Sequence, residues 1–378
     1  MMQSADFLII GGGMAGATAA YGLAPYGRVL MLETEDTPCY HTTGRSAAFY
    51  AETYGGAGVQ PLTTGSKDFF ASPPEGFSAV PLWQKRGALH VAKPGALAQA
   101  HEMADALSPL APGISVVDAQ QARAKAPMLR PDVVGGGVWD PDCALLDVDA
   151  LHHGFLRAAR RHDFKLYCNA EVGSLTRRDG LWRADTPKGV FQAPVVVNAA
   201  GAWGDRLAKR ARVAPVGLTP MRRTIVTFPV PKGGVDPDWP LVLDLEGGWY
   251  FKAQHGRILA SPADETPSPP CDAQPEELDI AMTMAQIEKV TGWKVSTLNA
   301  TWAGLRTFAP DRLPVIGFDA DTEGFFWCVG QGGVGIQTAP AVAQLVAALA
   351  TGAGLPASLT ALGVTESRYA PQRLREAA

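Results

Sequence analysis

The chain has little cysteine, little charge and no long apolar run, and each shortage argues against a class of protein. Its 378 residues include five cysteines, none of them in a C-x-x-C pair, so neither a zinc site nor a disulfide framework is expected. Charged residues make up 19% of the chain, with a net charge of −4 and no basic cluster, which argues against a nucleic-acid partner. No segment reaches the roughly 18 consecutive apolar residues of a membrane span, so none is expected.

The N-terminus and the cysteines bear on where the protein works. The apolar stretch that begins at Phe7 lacks the basic flank of a secretory signal and is rich in glycine instead. The scattered cysteines fit a reducing interior, so we expect a cytoplasmic protein that holds no metal. At 47% hydrophobic the chain can bury a large core, and its length suggests roughly two domains.

Glycines follow an apolar strand near the N-terminus. The segment Asp6–Ala17, DFLIIGGGMAGA, predicts a buried strand, a tight turn and the start of a helix. Gly11 would make the turn, Gly13 would let a pyrophosphate approach the backbone, and Gly16 would let the helix pack on the strand. The free N–H groups and the dipole at the helix N-terminus would attract the phosphates.

A second apolar strand supports a nucleotide-binding unit. Val29–Leu32 runs into Glu33, at the interval after Gly13 where such folds place an acid for a ribose diol. The alternative is that Glu33 is only a solvated strand end. The strand–helix–strand context predicts an ADP-containing dinucleotide, but by itself it does not separate NAD from FAD.

A polar, glycine-punctuated run, HTTGRSAA at residues 41–48, follows the second strand. It predicts a loop that leads into a helix favoured by Ala47 and Ala48. Such a loop either lies along a cofactor, with serine and backbone groups as hydrogen-bond partners, or is a plain surface loop. Another helix is predicted over Val59–Ala71, where Ser-Pro-Pro stops it.

The second half of the chain adds strands and a second glycine turn. Patterns over Val172–Ala193, Gly217–Val230, Leu241–Lys252 and Arg257–Ser261 predict sheets of antiparallel type. Val195–Trp203 predicts a strand that ends in small residues, which either admit a ligand or form a tight joint with the next helix. Phe325–Ala350 predicts a strand, a glycine turn and an apolar helix that starts at Ile336.

Ordered motifs along the chain carry a resemblance to a known family. They lie at Ile9–Ala17, Tyr40–Ala48, Val197–Trp203, Thr301–Phe308 and Phe325–Thr338. With them the chain resembles the glycine oxidase and D-amino-acid oxidase superfamily of FAD-dependent amine oxidoreductases. Within it, the chain is most similar to the bacterial D-arginine dehydrogenase type. The resemblance implies FAD rather than NAD as the cofactor.

The predicted fold is α/β in two domains. A Rossmann-type FAD-binding domain would be assembled from the separated segments 1–60, 145–212 and 305–378. The resemblance implies a second, α+β substrate domain at 61–144 and 213–304, whose antiparallel sheet would cover the flavin.

The resemblance also implies a substrate site. An arginine matching Arg306 holds the substrate carboxylate, helped by one matching Arg223, while tyrosines matching Tyr54 and Tyr250 close the pocket. Gln337 matches a pocket-lining position. A guanidinium suits this role because it binds a carboxylate through two parallel hydrogen bonds and stays charged. The alternative is that both arginines form ion pairs with acids of the protein.

The cofactor contacts expected from the motifs and the resemblance cover both glycine turns and the loops between them. They are Gly11, Gly13, Met14, Ala15, Gly16, Glu33, Thr42, Thr43, Arg45, Ser46, Ala47, Val172, Ala200, Gly201, Trp203, Gly304, Gly332, Gly333, Val334, Gly335, Ile336 and Gln337. Some relatives attach FAD covalently through a histidine in a loop comparable to that of His41. The subgroup that this chain most resembles does not, so we expect non-covalent FAD.

Two departures from the D-arginine type concern the substrate side chain. That type has a glutamate where this chain has Ala88, and a histidine where it has Phe49. An unpaired buried charge costs several kcal/mol, roughly 3–5, so a cationic substrate is disfavoured. Neutral or aromatic side chains become the expected substrates.

The reaction implied by the resemblance is oxidative deamination of a D-amino acid. Hydride would pass from the α-carbon to flavin N5 while the amine is neutral, and the imino acid would hydrolyse to a 2-oxo acid and ammonia. The electron acceptor, oxygen or a quinone-type compound, stays open. Other amine or 2-hydroxy-acid dehydrogenases and oxidases, a flavin-binding protein without amine chemistry, and an NAD-dependent dehydrogenase are the alternatives.

Overall fold

The computed structural model describes residues 2–230 and 234–376. Its strands, in chain order, are β1 (Met2–Ser4), β2 (Phe7–Ile10), β3 (Val29–Leu32), β4 (Phe49–Tyr50), β5 (Trp83–Lys85), β6 (Ala88–Ala92), β7 (Ser115–Asp118), β8 (Gly136–Asp140), β9 (Ala144–Leu146), β10 (Phe164–Tyr167), β11 (Ser174–Arg178), β12 (Leu181–Thr186), β13 (Gly189–Ala193), β14 (Val195–Asn198), β15 (Thr219–Phe228), β16 (Leu241–Asp244), β17 (Tyr250–Gln254), β18 (Arg257–Ser261), β19 (Thr266–Pro267), β20 (Ala300–Phe308), β21 (Val315–Phe318) and β22 (Phe325–Val329).

The α-helices connect these strands and cover their sheets. They are α1 (Met14–Leu23), α2 (Gln60–Thr64), α3 (Lys67–Ala71), α4 (Leu97–Leu107), α5 (Ala119–Lys125), α6 (Val148–Ala159), α7 (Gly204–Arg210), α8 (Glu277–Thr291), α9 (Ala339–Thr351), α10 (Ala357–Ala361), α11 (Glu366–Tyr369) and α12 (Arg373–Glu376).

A six-stranded sheet in the order β10-β3-β2-β14-β22-β21 forms the nucleotide-type core. All its pairs are parallel except β21 with β22. Strands β2, β3 and β22 are buried along their whole length, which explains their uninterrupted apolar sequences. Strand β10 joins this sheet beside β3 although a long insertion separates the two in sequence. The predicted α/β class is therefore confirmed.

A nine-stranded sheet lies over the carboxyl ends of that core. Its order is β19-β15-β18-β17-β16-β6-β8-β7, with β20 paired to β15. One face packs on α5 and α8 through residues such as Leu89, Val226 and Phe251. The other face carries Ala88, Ile225 and Tyr250. This sheet is mixed rather than wholly antiparallel, because β6 and β16 pair in parallel.

Three local expectations differ from the structure. The helix expected at Ala47 and Ala48 is wrong: Ala48 has a left-handed φ of 37°, and the chain then extends into β4, which pairs with β9. The single helix expected over Val59–Ala71 is two short helices, α2 and α3. The apolar helix expected from Ile336 begins at Ala339, because the glycine turn continues through Thr338.

Candidate active site

A cavity of about 1200 Å³ lies between the two sheets. All the cofactor and substrate residues expected from sequence line it, apart from Gly16 and Val334, which are buried just behind it. The structure therefore brings together residues from both ends of the chain and from the intervening segments. A space of this size and depth is typical of a cofactor and substrate site.

The first glycine turn contains two glycines that the fold requires and a third that a ligand would require. A Cβ on Gly11, whose φ is +110°, would lie 2.4 Å from the Ala199 carbonyl oxygen, and one on Gly16 would lie 1.9 Å from the Gly11 carbonyl oxygen. Gly13 has an ordinary φ of −75°. Its Cβ would have one neighbour within 4 Å in the described chain, Thr43 Oγ1 at 3.2 Å. The protein needs only a small shift of Thr43 to accept a side chain at residue 13, whereas a pyrophosphate in the cavity requires glycine there.

Glu33 is fixed at the edge of the cavity by backbone groups. Its Oε2 accepts a hydrogen bond from the Gly12 N–H at 2.5 Å, and its Oε1 accepts one from the Glu35 N–H at 2.9 Å. Each carboxylate oxygen can accept two hydrogen bonds, so Glu33 keeps capacity for the hydroxyls of a ribose. Glu33 is therefore an oriented acceptor at the end of β3.

A buried histidine that sequence reasoning missed supports the same turn. His152 on α6 is fully buried and donates from Nε2 to the Gly12 carbonyl oxygen at 2.9 Å. Burial lowers its pKa to about 4, so the ring is neutral at pH 7. The sequence held no signal for this contact, because His152 lies inside an ordinary amphipathic helix.

The loop at residues 39–46 is anchored by its polar side chains. Thr43 Oγ1 accepts the first N–H of α1, from Met14, at 2.9 Å, and Thr42 Oγ1 donates to the Leu305 carbonyl at 2.7 Å. Arg45 donates to two backbone carbonyls at 3.0 Å and to Asp272 at 2.5 Å. The loop lines the cavity, and the guanidinium of Arg45 holds it in place rather than extending toward a ligand.

Two arginines and two tyrosines meet at the other end of the cavity. Arg306 donates to the hydroxyl of Tyr54, and its guanidinium carbon lies 5.8 Å from that ring. The guanidinium carbon of Arg223 lies 5.9 Å from the ring of Tyr250. Burial lowers the pKa of Arg306, but a guanidinium stays charged near neutral pH.

Glu265 joins this group and was not singled out from sequence. Its Oε1 accepts from Arg306 Nη1 at 3.0 Å and from Arg223 Nη2 at 3.4 Å. Arg312 Nη2 contacts both oxygens, at 3.1 and 2.9 Å. The alternative of ion pairs with protein acids thus applies here, because Glu265 contacts all three guanidiniums and Asp264 Oδ1 lies 3.8 Å from Arg223 Nε. These three guanidiniums and two carboxylates leave the group with net positive charge.

Gln337 lines the cavity with its amide fully engaged by the protein. Its Oε1 accepts from the Ala51 N–H at 3.1 Å. Its Nε2 donates to the Tyr54 carbonyl at 3.2 Å and to Thr63 Oγ1 at 3.0 Å. Gln337 therefore holds the segment that carries Tyr54, which makes it a positioning residue.

Lys252 is a buried amine on the cavity side of the nine-stranded sheet. Its ammonium donates to the Ala47 carbonyl and lies 5.5 Å from the Phe49 ring centre. Among the described residues no carboxylate lies within ion-pair distance of it. Burial lowers its pKa to about 7.

Other kinds of site were searched for in the described residues. Across 2–230 and 234–376, no group of three or more His, Cys, Asp or Glu side chains could hold a metal ion. No helix in those two ranges is long and apolar enough to cross a membrane.

The fold and the cavity define a flavin-dependent oxidoreductase. Residues 6–349 match the family described as DAO, FAD dependent oxidoreductase, and the chain belongs to that family. FAD is accordingly its cofactor, and the ligand-specific need for Gly13 agrees with this.

Individual relatives act on amines and amino acids. The mitochondrial dimethylglycine dehydrogenase of Rattus norvegicus is 24% identical over 358 residues, which cover 87% of this chain and 41% of that protein. The chain thus spans less than half the length of this relative.

Among solved structures, L-proline dehydrogenase from P. horikoshii has a TM-score of 0.84 and 20% identity, over 100% of this chain and 99% of that one. Glycine oxidase from Geobacillus kaustophilus has a TM-score of 0.78 and 22% identity, over 94% and 96%. These likenesses show the shared fold.

The two glycines of the turn provide a matched test of cofactor binding. Gly13→Val should fold, because its side chain enters the cavity, but should purify colourless, because that side chain fills the space of the pyrophosphate. Gly16→Val should destabilise the protein itself, because its Cβ collides with the Gly11 carbonyl. Flavin absorbance per protein and the circular dichroism spectrum measure both effects. A folded, yellow Gly13→Val protein with normal flavin content would contradict the assignment.

Lys252 predicts a pH dependence of stability. The unfolded lysine keeps its proton up to about pH 10.4, whereas the buried one loses it above a pKa of about 7. Between these values the unfolded chain binds more protons, so the contribution of Lys252 to stability rises with pH, by up to about 1.4 kcal/mol per pH unit. Below pH 7 the contribution is constant and least favourable.

Urea unfolding of the wild type and of Lys252→Met at pH 6, 7, 8 and 9 measures this difference. The wild type should gain stability relative to the variant only above pH 7. Parallel stability curves over the whole range would show that burial does not lower the pKa of Lys252.

Proposed function

We propose that this protein oxidises a neutral D-amino acid to the imino acid, which water hydrolyses to a 2-oxo acid and ammonia. The observation that carries the proposal is the convergence of Arg306 and Arg223 with Tyr54 and Tyr250 in the cavity that also holds the FAD-binding turn. A flavin-binding protein without amine chemistry has no need of this cationic end.

The arginines bind and orient the substrate carboxylate in this scheme. Arg306 lies against Gly333, because a Cβ added to Gly333 would come within 2.6 Å of the guanidinium carbon of Arg306. The arginine pair that we call the carboxylate clamp, Arg306 and Arg223, therefore borders the second glycine turn. Gly333 therefore lets the carboxylate site adjoin the cofactor. FAD, when bound, supplies the two-electron chemistry by accepting a hydride. The protein's part is positioning and charge, since no side-chain base has to remove the proton from carbon.

The substrate carboxylate has to replace Glu265 on these two arginines. Arg312 Nη2 donates to both Glu265 oxygens, so Glu265 keeps a cationic partner when its contacts with the other two arginines are exchanged. The charge of the group favours this exchange, because three guanidiniums face two carboxylates, Glu265 and Asp264. Arg312 is the residue that we expect to retain Glu265 in the bound state.

The side-chain preference rests on Ala88 and Phe49. Ala88 is 2% exposed on the cavity face of β6, and Phe49 packs edge-on against Tyr250 with ring centres 5.9 Å apart. Such a wall cannot compensate a desolvated cation but can bury an apolar group at about 25 cal/mol per Å². Glu265 does not fill the role of the missing acid, because three arginines already hold it.

The D configuration and the non-covalent state of FAD rest on the resemblance to D-amino-acid dehydrogenases. His41 Nε2 lies 2.9 Å from Glu35 Oε1, which ties the ring to the loop and is consistent with a non-covalent cofactor. A secondary or tertiary amine is the second candidate substrate. The names of the dimethylglycine and proline dehydrogenases favour it.

Removing Arg306 tests the carboxylate clamp. Arg306→Ala should weaken substrate binding by on the order of 1.5–3 kcal/mol, or roughly 10- to 150-fold in KM, with FAD retained. Arg222→Ala is the matched control, since Arg222 points to the other face of β15 and pairs with Asp279 at 3.0 Å and with Glu276. An unchanged KM in Arg306→Ala, or an equal increase in the control, would show that Arg306 has only a structural role.

A substrate screen tests the reaction and its selectivity. Under anaerobic conditions, neutral D-amino acids should bleach the flavin with higher kcat/KM than D-arginine, and Ala88→Glu should shift the preference toward D-arginine. D-leucine, D-methionine, D-phenylalanine and D-arginine are compared with their L forms, dimethylglycine and L-proline. A clear D-arginine preference in the wild type would overturn the selectivity. Bleaching only by L-amino acids or by the substituted amines would overturn the proposed substrate class.

A further inference from the structure

The cavity extends past the arginine pair across the face of the nine-stranded sheet. Residues alternate in direction along each strand, so Ala88 and His90 of β6 and Leu243 of β16 face the cavity, while Leu89 faces the opposite core. His90 pairs with Leu243, and Leu243 pairs with Tyr250. These three side chains form one row that leads from the substrate pocket toward the sheet edge.

Beyond this row the cavity opens into an apolar chamber. Its walls are Leu243 and Leu245 on the sheet side and Met103, Ala106 and Leu107 on helix α4. Leu245 and Met103 belong to the same small apolar cluster between α4 and the sheet. Ala106 is exposed, so the chamber meets solvent at this end of the helix.

The chamber lies far enough from Arg223 to accommodate a large substrate side chain. Arg223 and Leu245 are on strands β15 and the end of β16, three strand steps apart, which is about 14 Å between backbones. The extended side chain of Arg223 covers part of this span. A carboxylate held on its guanidinium therefore leaves room for an aromatic ring to reach Leu243 and the chamber, whereas a methyl side chain would leave that wall uncovered.

His90 is a polar group on this wall, whose lining also includes the buried Asp244, an acceptor from the Gly248 N–H at 3.1 Å. Neither of its ring nitrogens has a hydrogen-bond partner among the described residues, and the side chain faces the cavity. Burial lowers its pKa to about 4, so at pH 7 it is neutral, with one N–H donor and one acceptor. A ligand in the chamber would find at His90 an imidazole with an unused donor and an unused acceptor.

We infer that this chamber is a subsite for a large aromatic side chain, of the indole or phenol type, whose indole N–H or phenol hydroxyl hydrogen-bonds to His90. The inference rests on the proposed function and narrows its substrate class. Met103 and Leu107 supply an adaptable apolar wall on the helix side, because both are unbranched at Cβ and carry several rotatable bonds.

A series of D-amino acids with side chains of increasing size tests the subsite. With the FAD-loaded wild type, kcat/KM for anaerobic flavin reduction should rise from D-alanine through D-leucine to D-phenylalanine and D-tryptophan. Ala106→Trp fills the chamber from the helix and should lower kcat/KM for D-tryptophan at least tenfold, with D-alanine unchanged. Asp105→Trp places the same bulk on a neighbouring exposed residue outside the cavity lining, and should change neither.

A variant of His90 distinguishes the effect of its hydrogen bond from the effect of the chamber's volume. His90→Leu keeps the volume and removes the polar atoms, so D-tryptophan and D-tyrosine should lose about 3- to 10-fold in kcat/KM relative to D-phenylalanine. Equal losses for all three aromatic substrates would overturn the assigned role of His90.

The experiments give different results if the subsite hypothesis is wrong and if the proposed function is wrong. If D-alanine reduces the flavin and larger D-amino acids are no better, the subsite is wrong and the function stands. If no amino acid reduces the flavin, the function is wrong, and binding of 3-indolepropionate against propionate, followed by flavin absorbance, still tests the chamber. Tighter binding of 3-indolepropionate that is lost in Ala106→Trp supports it, and equal binding of the two acids overturns it.

Discussion

The site depends on the close approach of three backbone segments at Gly11, namely the end of β2, the start of α1 and the end of β14. Gly11 makes contact with the Ala199 carbonyl on one side, and Gly16 packs on the Gly11 carbonyl on the other. These contacts fix α1 against β2 and β14, which places the free N–H groups of α1 and the carboxylate of Glu33 around one space. The fold itself thereby aligns the ends of these strands, the dipole of α1 and the Glu33 carboxylate around the cofactor site.

The second organising interaction is the charge cluster around Glu265. It joins Arg223 of β15, Arg306 of β20 and Arg312 of the following turn, so it connects the nine-stranded sheet to the segment that leads to β21. The three arginines outnumber the two carboxylates that they contact, Glu265 and Asp264, so the cluster still attracts another carboxylate. The same ion pairs thus hold the arginines in place and leave positive charge for a carboxylate ligand.

Local patterns in the sequence were sufficient for the nucleotide-type unit. Strand β2, the glycine turn, α1 and Glu33 are close in sequence, and the need for glycine at residue 13 is a local chemical argument. Glu265 and Lys252 could not be predicted in the same way, because their roles follow from strand register and from burial by distant segments. The expected helix at Ala47 failed for a related reason: pairing of β4 with β9 overrode helix propensity.

The register of the nine-stranded sheet decides which side chains reach the cavity. On β15, Arg223 faces the cavity while Arg222 pairs with Asp279 of α8 on the opposite face. A slip of one residue would exchange these two arginines and would turn Phe251 toward the cavity in place of Tyr250. The core beneath α5 and α8 prevents that slip, since the slip would remove Val226 and Phe251 from that core. Residues that never touch the substrate therefore determine the chemistry of its site.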